Sequence, residues 1–185
     1  MVYSIVAYGD PVLRKKATDI DKDYPQLDKF ISDMFETMYA SHGVGLAAPQ
    51  IGKSVRLFVI DGESFTEDDE TMADFKKVFI NPVILKEEGD KWAFNEGCLS
   101  IPRIREDIER PEQITIEYFD ENWNKKTEVF DGLKARIIQH EYDHIEGILF
   151  VDKLGPLKRK MLQGKLNDIS RGKVKVDYKM RFPKK

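Results

Sequence analysis

Three residues in the run Ile138-Gln139-His140-Glu141-Tyr142-Asp143-His144 have the types and spacing for hydrolytic chemistry. Side chains four residues apart share one face of a helix, so the His140 and His144 imidazoles can reach one metal ion with the Glu141 carboxylate beside it. The chain has three histidines, and this HExxH pattern takes two of them. The single cysteine, Cys98, sits in Asn95-Glu96-Gly97-Cys98-Leu99-Ser100, a loop-like stretch able to supply a third ligand. Two nitrogens and a thiolate leave a fourth position open, which distinguishes a catalytic metal site from a structural one. A small buried apolar role is the alternative for Cys98. The pattern reads as a metallohydrolase.

HExxH alone does not name the reaction, because zinc peptidases share it. Those commonly take a third ligand downstream, a glutamate or a third histidine. Here no glutamate follows Glu146 and no histidine follows His144. Asp152, Asp168 and Asp177 remain, so an aspartate-ligated metallopeptidase stays open as the alternative, as does a non-catalytic metal- or RNA-binding module.

These side chains need elements to hold them. At 185 residues, 41% hydrophobic and 34% charged, the chain has the length and balance of one soluble globular domain. One cysteine cannot form an intramolecular disulfide, which fits a reducing compartment. No signal peptide and no membrane-spanning apolar run are read, so a cytoplasmic protein without a membrane partner is expected. Leu27, Phe30, Ile31, Met34 and Met38 repeat at helical spacing, with Asp23 and Pro25 as N-cap and early helical residue. Residues 55–60 and 78–84 read as strands, the second interrupted by Pro82. The acidic stretch 61–77 between them reads as a surface loop. Ile114, Ile116 and Tyr118 alternate as a half-buried strand, paired with 127–130 across a turn at 120–122. Asp131 caps the motif helix, on which Leu133, Ile137, His140 and His144 form one stripe. No βαβ alternation appears. The expected fold is α+β, antiparallel sheets around a central helix carrying HExxH, in a single domain over residues 1–185.

Three segments resemble the signature motifs of the bacterial-type peptide deformylases: Gly43-Val44-Gly45-Leu46-Ala47-Ala48-Pro49-Gln50, Glu96-Gly97-Cys98-Leu99-Ser100, and Gln139-His140-Glu141-Tyr142-Asp143-His144. Their order and spacing are similar, and the likeness runs from Asp10 to about Leu157. The resemblance implies hydrolysis of the N-formyl group from the initiator methionine of nascent polypeptides, releasing formate. It implies one divalent metal on Cys98, His140 and His144. Ferrous iron is favoured, although a thiolate with two imidazoles also suits zinc, nickel or cobalt.

The chemistry also follows from the residues. A metal there lowers the pKa of its water from about 15.7 towards ~7. Glu141 takes the proton and passes it to the leaving amine. The Gln50 side-chain N–H and the Leu99 backbone N–H meet the charge that builds on the formyl oxygen, the same roles the resemblance implies for them. Gly43 and Gly45 let backbone approach the substrate, with a plain turn as the alternative; Gly97 is a further candidate for substrate binding. Val44, Phe94, Leu133 and Ile137 form an apolar pocket for the methionine side chain, with core packing as the alternative. Arg105 matches a family position that binds substrate backbone or orders the second motif. His42 reads as a flanking residue, not a ligand.

Charge is unevenly placed. Residues 153–185 carry twelve Lys/Arg against Asp168 and Asp177, a net of +10 that leaves −13 on the first 152 residues. Within this basic extension, 156–185, Leu157, Met161, Leu162, Leu166 and Ile169 suggest an amphipathic helix, and 174–182 alternates like a strand. A solvated helix face with an ordinary tail is one reading of that charge; docking to ribosomal RNA phosphate is the functional one, with no DNA partner expected. Removing the residues after Gly155 is expected to spare hydrolysis of a short formyl peptide, provided the core still folds; a strand that 174–182 adds to the domain's own sheet is the structural alternative.

Overall fold

The computed structural model describes residues 1–183; Lys184 and Lys185, the last two cations of the basic extension, lie outside the described residues. In chain order the elements are β1 (Ile5–Val6), α1 (Leu27–Ala40), β2 (Gly45–Ala47), β3 (Leu57–Asp61), β4 (Lys76–Cys98), β5 (Ile101–Phe119), β6 (Lys125–Asp131), α2 (Gly132–Ile145), α3 (Pro156–Ser170) and β7 (Met180–Arg181).

Alternation along β3 sets the layering. Leu57 and Val59 point to one face, where Leu27, Phe30, Ile31, Met34 and Met38 of α1 cover them. Phe58 and Ile60 point to the other, where Ala135, Ile138 and Ile145 of α2 join Phe79, Ile114, Ile116 and Tyr118. A strand sends successive side chains to opposite faces, so a continuously apolar strand must be covered twice. The five-stranded sheet, in the order β2-β3-β4-β5-β6 with every pairing antiparallel, therefore lies between α1 and the motif helix α2. The α+β expectation holds. Among the described residues the one parallel pairing between named strands joins β1 to β7, near the two ends of the chain, and an isolated parallel bridge links Thr18 to Val55.

Several local expectations are corrected. Helix α1 begins at Leu27 after Gln26, which has φ 52° and gives no side-chain cap, so Asp23 and Pro25 belong to the preceding turn. Asp131 sits at the N-cap of α2 without a side-chain bond to the helix. The acidic stretch 61–77 is partly ordered, with turns of 3-10 helix at Glu63–Phe65 and Glu70–Met72 and with Met72 buried. On α3 the core takes Leu162, Leu166 and Ile169, while Leu157 and Met161 face solvent at 73% and 74% exposure. Of the alternating stretch 174–182, only Met180 and Arg181 enter a sheet.

The largest difference is β4. It runs for 23 residues through Pro82 and pairs with β5 as far as Cys98 opposite Ile101. Proline removes a ladder donor and is tolerated at bulges, and the register shifts between Ile80 and Val83. Asn81 adopts φ 48° there, and its amide bonds Ile20 in both directions at 2.9 and 2.7 Å. Cys98 is thus the last residue of a strand before a tight turn at Leu99 and Ser100, not part of a loop.

Candidate active site

That turn brings Cys98 to helix α2. Its Sγ lies 3.4 Å from His144 Nε2, and the ligand atoms of Cys98, His140 and His144 all lie within 4.8 Å of one another. Among the described residues this is the one such group of metal-ligating side chains. Asp152 is engaged by Arg14 at 2.5 Å and by the Leu149 N–H at 2.9 Å, and it is not in the cluster. The downstream-aspartate alternative therefore finds no ligand here.

The donor set suits a borderline-soft cation. His144 Nδ1 is buried with no partner, and burial beside His140 holds this imidazole well towards its neutral form. His140 Nδ1 lies 2.8 Å from Glu96 Oε1, which directs its Nε2 towards the cluster. Carboxylates commonly orient ligand imidazoles in this way. Burial alone would lower the His140 pKa, but bonding to Cys98 and Glu96 outweighs it and raises it. A cation would take the place of that shared proton.

Glu96 is the functional residue that sequence reasoning missed. It is 5% exposed, and Arg110 grips both its oxygens at 2.7 and 2.9 Å while Arg136 adds a bond of 2.9 Å. Arg110 also reaches Asp143 of α2 at 2.7 Å. Burial opposes charge on Glu96, yet the bonds from His140 and Arg110 hold its carboxyl well below the ordinary range. The motif glutamate behaves oppositely. Glu141 is buried with Oε2 unpartnered, and burial pushes its pKa up to about 7. A carboxyl near neutrality can both take and give a proton at working pH.

Gln50 stands on a 3-10 turn, Ala48–Ile51, after β2. The Ala47 N–H donates to its Oε1 at 2.9 Å, so the amide NH2 must point the other way, 3.5 Å from Cys98 Sγ and 3.4 Å from Ser100 Oγ. A cleft of about 370 Å³ opens over these groups, lined in part by Val44, Gly45, Gln50, Gly97, Leu99 and Arg105. Phe94, Gly97, Arg105 and Ile137 line an adjoining cavity of about 90 Å³ that shares His140 and Glu141. Leu133 lines neither and packs against the core under the sheet. A Cβ on Gly45 would lie 2.5 Å from Glu141 Oε1, and one on Gly97 would lie 2.6 Å from an Arg105 nitrogen. Arg105 bonds the Asn95 side chain at 2.8 Å and the Asn95 carbonyl at 2.7 Å, which ties it to the strand carrying Cys98.

The extension also reaches the site. Val176, Asp177 and Tyr178 line the cleft, and the Tyr178 hydroxyl donates to the Leu99 carbonyl at 2.8 Å. Burial, with Cys98 nearby, raises the Tyr178 pKa far above its ordinary value, so the hydroxyl remains a donor. His42 lines the same cleft, exposed and 3.9 Å from Asp177, apart from the ligand cluster.

Comparison with known proteins agrees with this geometry. The family model described as polypeptide deformylase matches residues 2–160. The peptide deformylase of Christiangramia forsetii is 60% identical over 99% of this chain and 97% of its own, and that of Flavobacterium johnsoniae is 56% identical over 98% and 96%. Among solved structures, a peptide deformylase from Legionella pneumophila superposes with a TM-score of 0.80 at 40% identity, covering 94% of this chain and 98% of the other. The Plasmodium falciparum peptide deformylase, in complex with an inhibitor, gives a TM-score of 0.79 at 36% identity over 91% and 99%.

Proposed function

Because the chain belongs to the polypeptide deformylase family of metal-dependent hydrolases, whose substrates are the formyl-Met ends of nascent chains, we propose that Glu141 is its proton shuttle and that Cys98, His140 and His144 hold its metal. When bound, a divalent cation supplies Lewis acidity, which makes water a stronger acid and draws charge from the formyl carbonyl. The remaining work falls to the chain's own residues. Glu141, with one buried oxygen unpartnered, accepts a proton from the attacking water. It returns the proton to the methionine nitrogen as the C–N bond breaks, so the water oxygen leaves in formate and the peptide leaves as a free amine. Charge building on the formyl oxygen meets the Gln50 NH2 and the Leu99 N–H. Gly45, Gly97 and Arg105 frame the peptide, and Val44, Phe94 and Ile137 meet the methionine side chain. Leu133 contributes only through packing.

The single observation that carries this reading is the unpartnered Glu141 oxygen beside three converging ligand atoms. The test is formate release from formyl-Met-Ala-Ser by metal-loaded protein, with acetyl-Met-Ala-Ser as control. Release from the formyl peptide alone, abolished by chelation and restored by ferrous iron or nickel, is the expected result. Cleavage of the acetyl peptide or of internal amides supports a general metallopeptidase instead.

Ferrous iron is the metal we assign in the cell, with zinc, nickel or cobalt able to take the same ligands. Cytoplasmic is the location we assign, and no described helix is long and apolar enough to cross a membrane. The exposed basic face of α3, with Lys158, Arg159, Lys160 and Lys165, is the surface we assign to ribosome docking.

A further inference from the structure

The family match ends at residue 160, yet residues 176–178 form part of the cleft that holds the catalytic groups. We propose that the segment 174–178 is a working wall of this site, in which Tyr178 positions the Leu99 turn and Asp177 meets a cationic side chain downstream of the methionine.

The segment is anchored at both ends. The Arg103 Nε donates to the Lys175 carbonyl at 3.2 Å. Beyond Tyr178, the Ile5 N–H donates to the Lys179 carbonyl at 2.8 Å and the Ala7 N–H to the Arg181 carbonyl at 2.9 Å. Phe182 packs with the cluster around Val6, Ala7 and Leu13. The same N-terminal segment holds the turn, because the Tyr8 N–H donates to the Ser100 carbonyl at 2.9 Å. Leu99 and Ser100 are thus fixed by one carbonyl each, Leu99 through Tyr178 and Ser100 through Tyr8. The Leu99 carbonyl lies in the peptide plane after the one that carries the Leu99 N–H, and the two planes are hinged at the Leu99 Cα; holding the carbonyl through Tyr178 therefore narrows the φ and ψ of Leu99 and, through them, the direction of an N–H aimed at a developing oxyanion. Asp177 lies at the rim, 74% exposed. Apart from Glu141, it is the only carboxylate among the described residues lining this cleft, where His42, Arg103 and Arg105 also sit.

The Tyr178 part rests on the role proposed for the Leu99 N–H; the Asp177 part does not. Metal-loaded enzyme, Tyr178→Phe and Asp177→Lys are compared on formyl-Met-Ala-Lys and formyl-Met-Ala-Glu, with metal content and Tm measured on the same samples. Tyr178→Phe should lower kcat about fivefold to tenfold, the scale of one hydrogen bond, with KM within twofold and metal content and Tm unchanged. Asp177→Lys should shift the Lys-over-Glu ratio of kcat/KM about threefold towards Glu, less at high salt, as for an exposed charge pair. An unchanged kcat in Tyr178→Phe, or a loss matched by lost metal or lower Tm, overturns the positioning role. An unchanged ratio in Asp177→Lys overturns the wall. Formate release by the parent with both variants unchanged defeats this inference alone, whereas a parent that releases no formate defeats the proposed function.

Discussion

Glu96 and Glu141 are two carboxylates within one site, driven in opposite directions by what surrounds them. Glu96 is saturated by Arg110, Arg136 and His140, and it holds its charge. Glu141 has a buried oxygen with no partner, and its proton is retained to about pH 7. The candidate ligands His140 and His144 and the carboxylate of Glu141 are legible in the sequence because HExxH places them by local spacing, and Cys98 because it is the single cysteine. Glu96 is not, because its role needs Arg110, Arg136 and His140 brought together from up to 44 positions away. Glu96→Gln leaves two buried guanidinium groups short of a counter-charge, so it should cost about 3–5 kcal/mol of stability. It should also weaken metal affinity about 10- to 100-fold by releasing His140. Denaturant unfolding and metal titration read the two effects separately. In metal-free protein, Glu141 also imposes a pH dependence. Its folded pKa of about 7 lies above the ordinary 4.5, so the unfolded chain ionises first as pH rises. Stability present below pH 4.5 is therefore lost progressively up to about pH 7, and no further. The Tm advantage of Glu141→Gln over the parent should widen across that interval and level off above it; an advantage independent of pH would contradict the burial argument.

Strand alternation and helical period revealed α1, β3, the second half of β5, β6 and α2, because each has a face that must be apolar. They did not reveal the long ribbon of β4 and β5. Its middle, around Glu87, Glu88, Asp90 and Lys91, is exposed on both faces and is held by ladder bonds, which leave no hydrophobic period. Cys98 was consequently read as part of a loop when it ends a strand. In the extension the helical period marks α3, but the place of 174–178 is not legible, for a related reason: that segment is fixed by hydrogen bonds to Arg103 and Leu99, and its side chains meet the cleft. Where backbones approach closely, a glycine is the legible trace. Gly45 on β2 faces Glu141 at a distance no Cβ can share. Gly45→Ala should displace the Glu141 carboxyl and lower kcat by more than tenfold, with metal content retained and a stability change on the order of 1 kcal/mol. Parent-like kcat in that variant would mean the carboxyl position is not critical.

The molecule as a whole is an acidic body with a basic extension. Because that extension both carries charge on α3 and walls the cleft, removing it cannot separate docking from catalysis. Reversing surface charge can. Lys160→Glu with Lys165→Glu, both exposed on α3, should leave formyl-peptide turnover within twofold while weakening ribosome co-sedimentation at low salt by tenfold or more. Unchanged co-sedimentation would reassign the charge to an ordinary solvated face.

Glu141 is proposed to move the proton at a site whose metal is held by Cys98, His140 and His144. The most direct test is Glu141→Gln, with metal content and formate release from formyl-Met-Ala-Ser measured on one preparation. This reading predicts a parent-like metal content and turnover lower by about 10²- to 10⁴-fold, the usual contribution of a positioned general acid–base group. Full metal content with turnover within tenfold of the parent would contradict it.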